Sequence, residues 1–172
     1  MCSQKLWQAL GQSGKPPATV SDREVHGAVL GSWAVTVANR DGHPLALALN
    51  DRTYLTLVFP LTPPERFREH FAQALTVALE DFGVGAGTIE SQVLALDFLP
   101  LVRLTDRTLA GALKKLEFVL DTELDYLSDL RRVQRNLNDF PHPDRDPYVP
   151  AEAIVRLFGS IQLEPDPSRR PH

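Results

Sequence analysis

Arg135 and His142 are the side chains of this sequence whose types and spacing best suit a reaction. They stand seven positions apart, with Asn136 beside the arginine. A guanidinium can steady charge developing on a phosphate, and an imidazole can move a proton near neutral pH. Together they would serve phosphodiester cleavage. Against this, Pro141 directly precedes the histidine, removes a backbone donor and would interrupt a continuous helix. None of His26, His43, His70, His142 and His172 pairs with another at the i, i+4 spacing of a helical metal site. There is no G-x-S-x-G elbow, and Cys2 lacks the local surroundings of a nucleophile. The run Gly83-Val84-Gly85-Ala86-Gly87 has the composition of a phosphate cradle but follows a helical stripe, and no Lys-Ser/Thr pair accompanies it. We therefore expect no metal, no cofactor and no catalytic constellation beyond the Arg135–His142 alternative.

The elements that must position these residues follow from periodicity. Leu6, Trp7 and Leu10 share one face of a short helix over 4–10, and Gly11 to Asp22 read as a loop. Trp33, Val35 and Val37 alternate with Ala34, Thr36 and Ala38, and Leu45, Leu47 and Leu49 alternate with Ala46 and Ala48. Asp41-Gly42 and Asn50-Asp51-Arg52 supply turns, and Tyr54 to Phe59 completes an antiparallel meander. The alanines predict shallow space on one sheet face, where a helix would lie. Thr62-Pro63-Pro64-Glu65 predicts a capping box with Thr62 as N-cap. Phe67, Phe71, Ala74, Leu75, Ala78, Leu79 and Phe82 then form one helical stripe that ends at Gly83, best read as packing on the sheet rather than as a ligand box.

Beyond Gly83 to Thr88, read as a loop, residues 93–104 suggest a helical turn and a strand around 98–104. From Leu109 to Leu137, leucines and Val133 recur at three- and four-residue steps, as one helix from Asp106 or two with a restart near Asp121. Either would put Arg131, Arg132 and Arg135 near a C-terminal end, where the helix dipole favours them. Ala151 to Phe158 predicts a last short helix.

Length and composition set the outer limits. The 172 residues, 43% hydrophobic and 23% charged, suit one domain of 1–160 with a polar tail, 161–172, expected to be disordered. No apolar run approaches the ~18 residues of a membrane span. A net charge of −4 disfavours nucleic acid as a partner. A single cysteine and the absence of a signal-peptide pattern at residues 1–10 point to the cytoplasm.

Two resemblances bear on this reading. The Arg135-Asn136 to His142 stretch resembles the arginine–histidine signature of the higher-eukaryote-and-prokaryote nucleotide-binding ribonucleases, which implies an all-helical nuclease and disagrees with the meander. Along residues 2–158 the chain resembles the bacterial family called domain of unknown function 6933. Cys2-Ser3-Gln4-Lys5-Leu6 is similar to its C-T-x-K-L start, Trp33 to its W-x-A-N strand, and Asn50-Asp51-Arg52-Thr53-Tyr54-Leu55 to its N-x-x-T-L/Y turn. Asp106-Arg107-Thr108-Leu109-Ala110-Gly111-Ala112-Leu113 resembles its N-R-S-x-x-G-x-M helix start. Leu137-Asn138, Pro141, Tyr148 and Pro150 resemble its L-N-x-x-P close. Departures fall at Thr36, at Gly42-His43-Pro44 and at Lys114-Lys115, where the family commonly has Asn, a basic turn and Asn-Asp. That resemblance supports the fold and implies no activity.

The shared polar and aromatic positions, Trp33, Asn50, Asp51, Arg107 and Asn138, are the candidate binding residues. Each also has a structural role in prospect. Asn50 and Asp51 suit a turn, Arg107 would pair with Asp51 or Asp106, and Asn138 would cap or turn the chain before Pro141. We expect an α+β domain, an antiparallel meander covered by helices with a long helical C-terminal half. As function we expect a small cytoplasmic binding or regulatory protein, its partner a protein, with self-association through the leucine-rich helix left open. The alternative is a ribonuclease or phosphodiesterase built on Arg135 and His142.

Overall fold

Alternation of period two over residues 33–60 folds as an antiparallel meander, β1 (Trp33–Arg40), β2 (His43–Asn50) and β3 (Thr56–Pro60), in the order β1-β2-β3. The computed structural model describes residues 1–17, 29–97, 100–143, 146–147 and 149–159. Helices over the described residues are α1 (Gln4–Ala9), α2 (Phe67–Asp81), α3 (Ala86–Leu96), α4 (Arg107–Tyr126), α5 (Leu130–Asn138) and α6 (Pro150–Phe158). The class is α+β, with helices dominating the C-terminal half. Tyr148 and the tail 161–172 lie outside the described residues, as do the first two positions of the strand expected at 98–104.

The β1–β2 hairpin closes on Asp41 (φ 50°) and Gly42 (φ 80°), a pair of left-handed residues whose twist matches the flanking strands. Its register sets small against large at successive positions: Ala34 faces Leu49, Val35 faces Ala48, Thr36 faces Leu47, Val37 faces Ala46 and Ala38 faces Leu45. The alanines are therefore shared between the two faces rather than gathered on one. Helices cover both. On one face Trp33, Val35, Val37, Ala46, Ala48, Leu57 and Phe59 join Phe67, Phe71, Leu75 and Leu79 of α2. On the other, Leu45, Leu47, Leu49 and Val58 join Leu109, Leu113, Leu116 and Leu120 of α4 and Val133 and Leu137 of α5.

Thr62 does not cap α2. Pro63 is extended (φ −75°, ψ 148°), the conformation forced on a residue that precedes a proline, so helical geometry cannot begin before Pro64. A 3-10 turn, Pro64–Arg66, leads into α2 without a side-chain cap. The glycine run that ends α2 also starts α3, from Gly85, where a loop and then an ambiguous segment were expected. Around 98–104 the described chain forms only an isolated bridge, Arg103 to Cys2.

The leucine periodicity from 109 to 137 is two helices. Leu127 leaves helical geometry (φ −131°, ψ 130°), and Asp129 caps α5 by accepting from the Arg131 N–H at 3.0 Å. Arg131 and Arg132 thus occupy the first turn of α5, not a C-terminal end. Arg131 finds its favourable charge across space, in Asp81 of α2 at 2.6 Å. No helix among the described residues is long and apolar enough to cross a membrane.

One contact ties α5 to the sheet through polar groups. β3 is an edge strand, and its outward backbone groups face α5. The Asn138 side-chain amide accepts from the Thr56 N–H and donates to the Thr56 carbonyl, both at 2.8 Å, while Gln134 Oε1 accepts from the Val58 N–H at 3.0 Å. Four helical residues rise about 6 Å and two strand residues about 6.6 Å, so the two amides meet alternate strand positions. Helix side chains here supply the bonds a fourth strand would make.

Candidate functional site

Where β1 begins, the aromatic layer is incompletely filled. A cavity of about 300 Å³ lies between the start of β1, the first turns of α2 and residues 96–102. Its apolar wall includes Trp33, Val35, Phe67, Phe71, Leu101 and Val102. Trp33 meets Phe71 edge-on, with ring centroids 5.2 Å apart, and Phe71 stacks on Phe59 at 5.3 Å. Phe67 and Phe71 sit one helical turn apart, and this spacing puts both rings on the same wall.

The rim is held by two of the candidate binding residues. Asn50, fully buried, donates from Nδ2 to the carbonyls of Leu30 (2.8 Å) and Ser32 (3.1 Å). Its Oδ1 accepts from the Thr53 N–H and hydroxyl, both at 2.9 Å, and thereby fixes the β2–β3 turn. Gln92 of α3 takes the Leu30 N–H at 3.1 Å. Gly31, on the rim, is left-handed (φ 74°), and a β-carbon there would approach Arg52 Cδ to 3.2 Å. Asp51 is half-buried. Burial pushes its carboxyl above the ordinary range, while the Ser32 N–H and the Arg52 guanidinium pull the other way.

The opposite wall is fastened by backbone. The Cys2 N–H donates to the Val102 carbonyl at 2.6 Å, and the Leu104 N–H donates to the Cys2 carbonyl at 2.9 Å. Arg68 reaches across from α2 to the Leu96 carbonyl. Its guanidinium and the Met1 ammonium, which donates to the Trp33 carbonyl at 2.6 Å, are the charged groups among the described lining residues. Aromatic and aliphatic walls with a few polar groups at the rim suit an apolar molecule, and a buried charge on that molecule would be costly.

Trp33, Asn50 and Asp51 therefore come together at one end of the cavity, Trp33 in its wall and the other two behind its rim. Asn138 and Arg107 lie elsewhere. Asn138 ends α5, where its side-chain amide donates to the Gln134 carbonyl of the last turn at 2.8 Å, and it is buried in the α5–β3 contact. Arg107 is exposed and makes no ion pair among the described residues, because Asp106 spends its carboxylate on the N–H groups of Thr108 (2.8 Å) and Leu109 (3.0 Å). Asp51 faces Ser32 and Arg52 instead.

Arg135 bonds to Asp81 at 3.1 Å, and Arg131 shares the same carboxylate oxygen. These two guanidinium groups hold the Asp81 carboxyl below the usual range. His142 places its ring edge against Tyr54 (4.8 Å between centroids) and near Phe140 (5.9 Å). A guanidinium already committed to a carboxylate offers less charge to a phosphate. Among the described residues no group of three His, Cys, Asp or Glu side chains could hold a metal ion.

Of the cavity walls, Leu101 and Val102 carry no signal in the sequence reading, and Phe67 and Phe71 were read as packing on the sheet rather than as a ligand box. Phe67 and Phe71 were legible as an apolar stripe, and their burial agrees with that, but the stripe says nothing of space left beside it. No curated protein matches the chain. The family model described as a domain of unknown function (DUF6933) matches residues 1–153, a span that contains every wall and rim residue of the cavity. With that match over most of its length, the chain belongs to the DUF6933 family.

Proposed function

We propose that this protein binds a small, apolar ligand in the cavity at the start of β1. The observation that carries the reading is the aromatic-walled space of about 300 Å³, bordered by a rim that buried amides hold in place. Unfilled apolar volume forfeits contact energy that a ligand recovers on binding. The size matches the lower end of small-molecule sites. A preformed rim also lowers the ordering cost of association.

A titration with the uncharged naphthalene probe Prodan tests this. Saturable, one-to-one binding with a blue-shifted emission is the expected result. Leu101→Trp, which fills the space, should weaken binding at least tenfold, whereas Phe118→Ser on α4 should leave it unchanged. Cooperative melting of both variants verifies their folds. Absence of saturable binding, or equal binding by Leu101→Trp, overturns the proposal. Should it fail, a protein partner is the second reading, favoured by Phe118 (76% exposed) and Tyr126 (82% exposed), two turns apart on α4.

A further inference from the structure

We infer that residues 1–3 form a strap whose release opens the cavity and whose docking closes it, an inference that rests on the ligand-binding reading above. The strap lies between β1 and the chain at 102–104. Toward β1, the Ser3 N–H donates to the Val35 carbonyl at 2.9 Å and the Val35 N–H donates to the Met1 carbonyl at 3.0 Å. Toward the far wall, Cys2 bonds to Val102 and Leu104 as described above. Met1, Val35 and Val102 all line the cavity. Withdrawing the strap therefore removes one piece of wall and unfastens another.

Each side of the strap is a single isolated bridge, whereas β1 and β2 are joined over eight residue pairs. Among the described residues the Met1 ammonium also donates to the Trp33 carbonyl at 2.6 Å, so five main-chain bonds join residues 1–3 to their neighbours. A ladder this short opens locally at a lower free energy than the eight-pair ladder of β1 and β2. Its inner end is well defined. Ser3 Oγ caps α1 by accepting from the Leu6 N–H at 3.1 Å, and Leu6 is fully buried, so the hinge falls at Ser3. The docked strap presents Met1 to the cavity, and an occupant in contact with it favours the closed state. Linkage then fixes the size of the effect: opening to a form that does not hold ligand is suppressed by the factor 1 + [L]/Kd.

Cys2 reports the strap's position. It is the chain's single cysteine, has no exposed surface when docked, and burial pushes its thiol above the ordinary range. Both properties block alkylation until the strap releases. The experiment measures iodoacetamide labelling of Cys2 in the full chain by mass spectrometry, across Prodan concentrations and low urea, with Cys2→Ser as the unlabelled baseline. Prodan emission in the same samples gives Kd independently. The expected labelling rate depends only weakly on urea and is halved when Prodan stands at its Kd. A rate unaffected by Prodan that demonstrably binds overturns the strap and leaves the binding site standing. A rate that follows global unfolding in urea also overturns it. Failure of Prodan to bind at all overturns the binding reading itself, and the strap with it.

Discussion

The two faces of the sheet are packed by different chemistry. Leucines from α4 and α5 fill the first, where Leu116, Leu120 and Leu137 have no exposed surface, and side-chain amides lock α5 to β3. Aromatic rings from β1, β3 and α2 fill the second, and where those rings run out a cavity remains. Flexible leucines on two helices adapt to one another and close the space. Planar rings meeting edge-on fix their own geometry and leave gaps at the periphery. Both faces carry a buried core, and a cavity remains beside the aromatic one.

Truncations should separate the faces most sharply. Leu116→Ala is expected to cost about 2–5 kcal/mol, because a fully buried leucine leaves a void that its neighbours cannot close. Leu101→Ala, half-buried beside space that already exists, should cost roughly 1 kcal/mol or less and yet weaken Prodan binding. Urea unfolding of both variants tests the contrast; equal costs would mean the cavity wall is as tightly packed as the leucine face.

A smaller effect is expected from the polar clamp. Asn138→Ala strips partners from the buried Thr56 N–H and carbonyl, for a loss of about 1–3 kcal/mol in the same assay. Prodan binding by this variant should match the parent, since the clamp lies away from the aromatic face.

The smallest effect concerns Asp81. Its carboxyl lies below the ordinary value of 3.8 in the folded protein, so its pairs with Arg131 and Arg135 stabilise fully above that pH. The contribution fades as pH falls through the lowered folded-state value. Asp81→Asn should therefore lose about 1 kcal/mol or less at neutral pH, and the gap between variant and parent should close in acid. Urea midpoints across pH measure it; a gap that widens in acid would contradict the assignment.

Legibility in the sequence tracked how local each cause was. The meander and the Asp41-Gly42 turn depend on neighbours along the chain, and each was readable. Thr62 carried a capping pattern that failed one residue later, where Pro63 precedes Pro64 and cannot turn helical. The α4–α5 break was an open choice, because the leucine spacing runs through it without a phase change. Asn138 was unreadable in principle: its partner is 82 residues away and is backbone, which leaves no mark in composition. The cavity was harder still. Its walls come from the chain around residues 1, 31–35, 67–71 and 96–102, none of which forms a motif alone. Trp33, Asn50 and Asp51, read from the sequence as candidate binding residues, fall at one end of the cavity, Trp33 in its wall and the other two behind its rim.

The amide clamp on β3 also bears on how this protein would fail. An unpaired strand edge can recruit a second chain and seed aggregation, and Thr56-Leu57-Val58-Phe59 has the β-branched and aromatic character that such growth favours. Gln134 and Asn138 occupy that edge with groups that terminate it, since a helix cannot extend the ladder to another molecule. Partial detachment of α5 would uncover the edge while much of the sheet remained formed. Loss of one short helix would then expose a template for self-association.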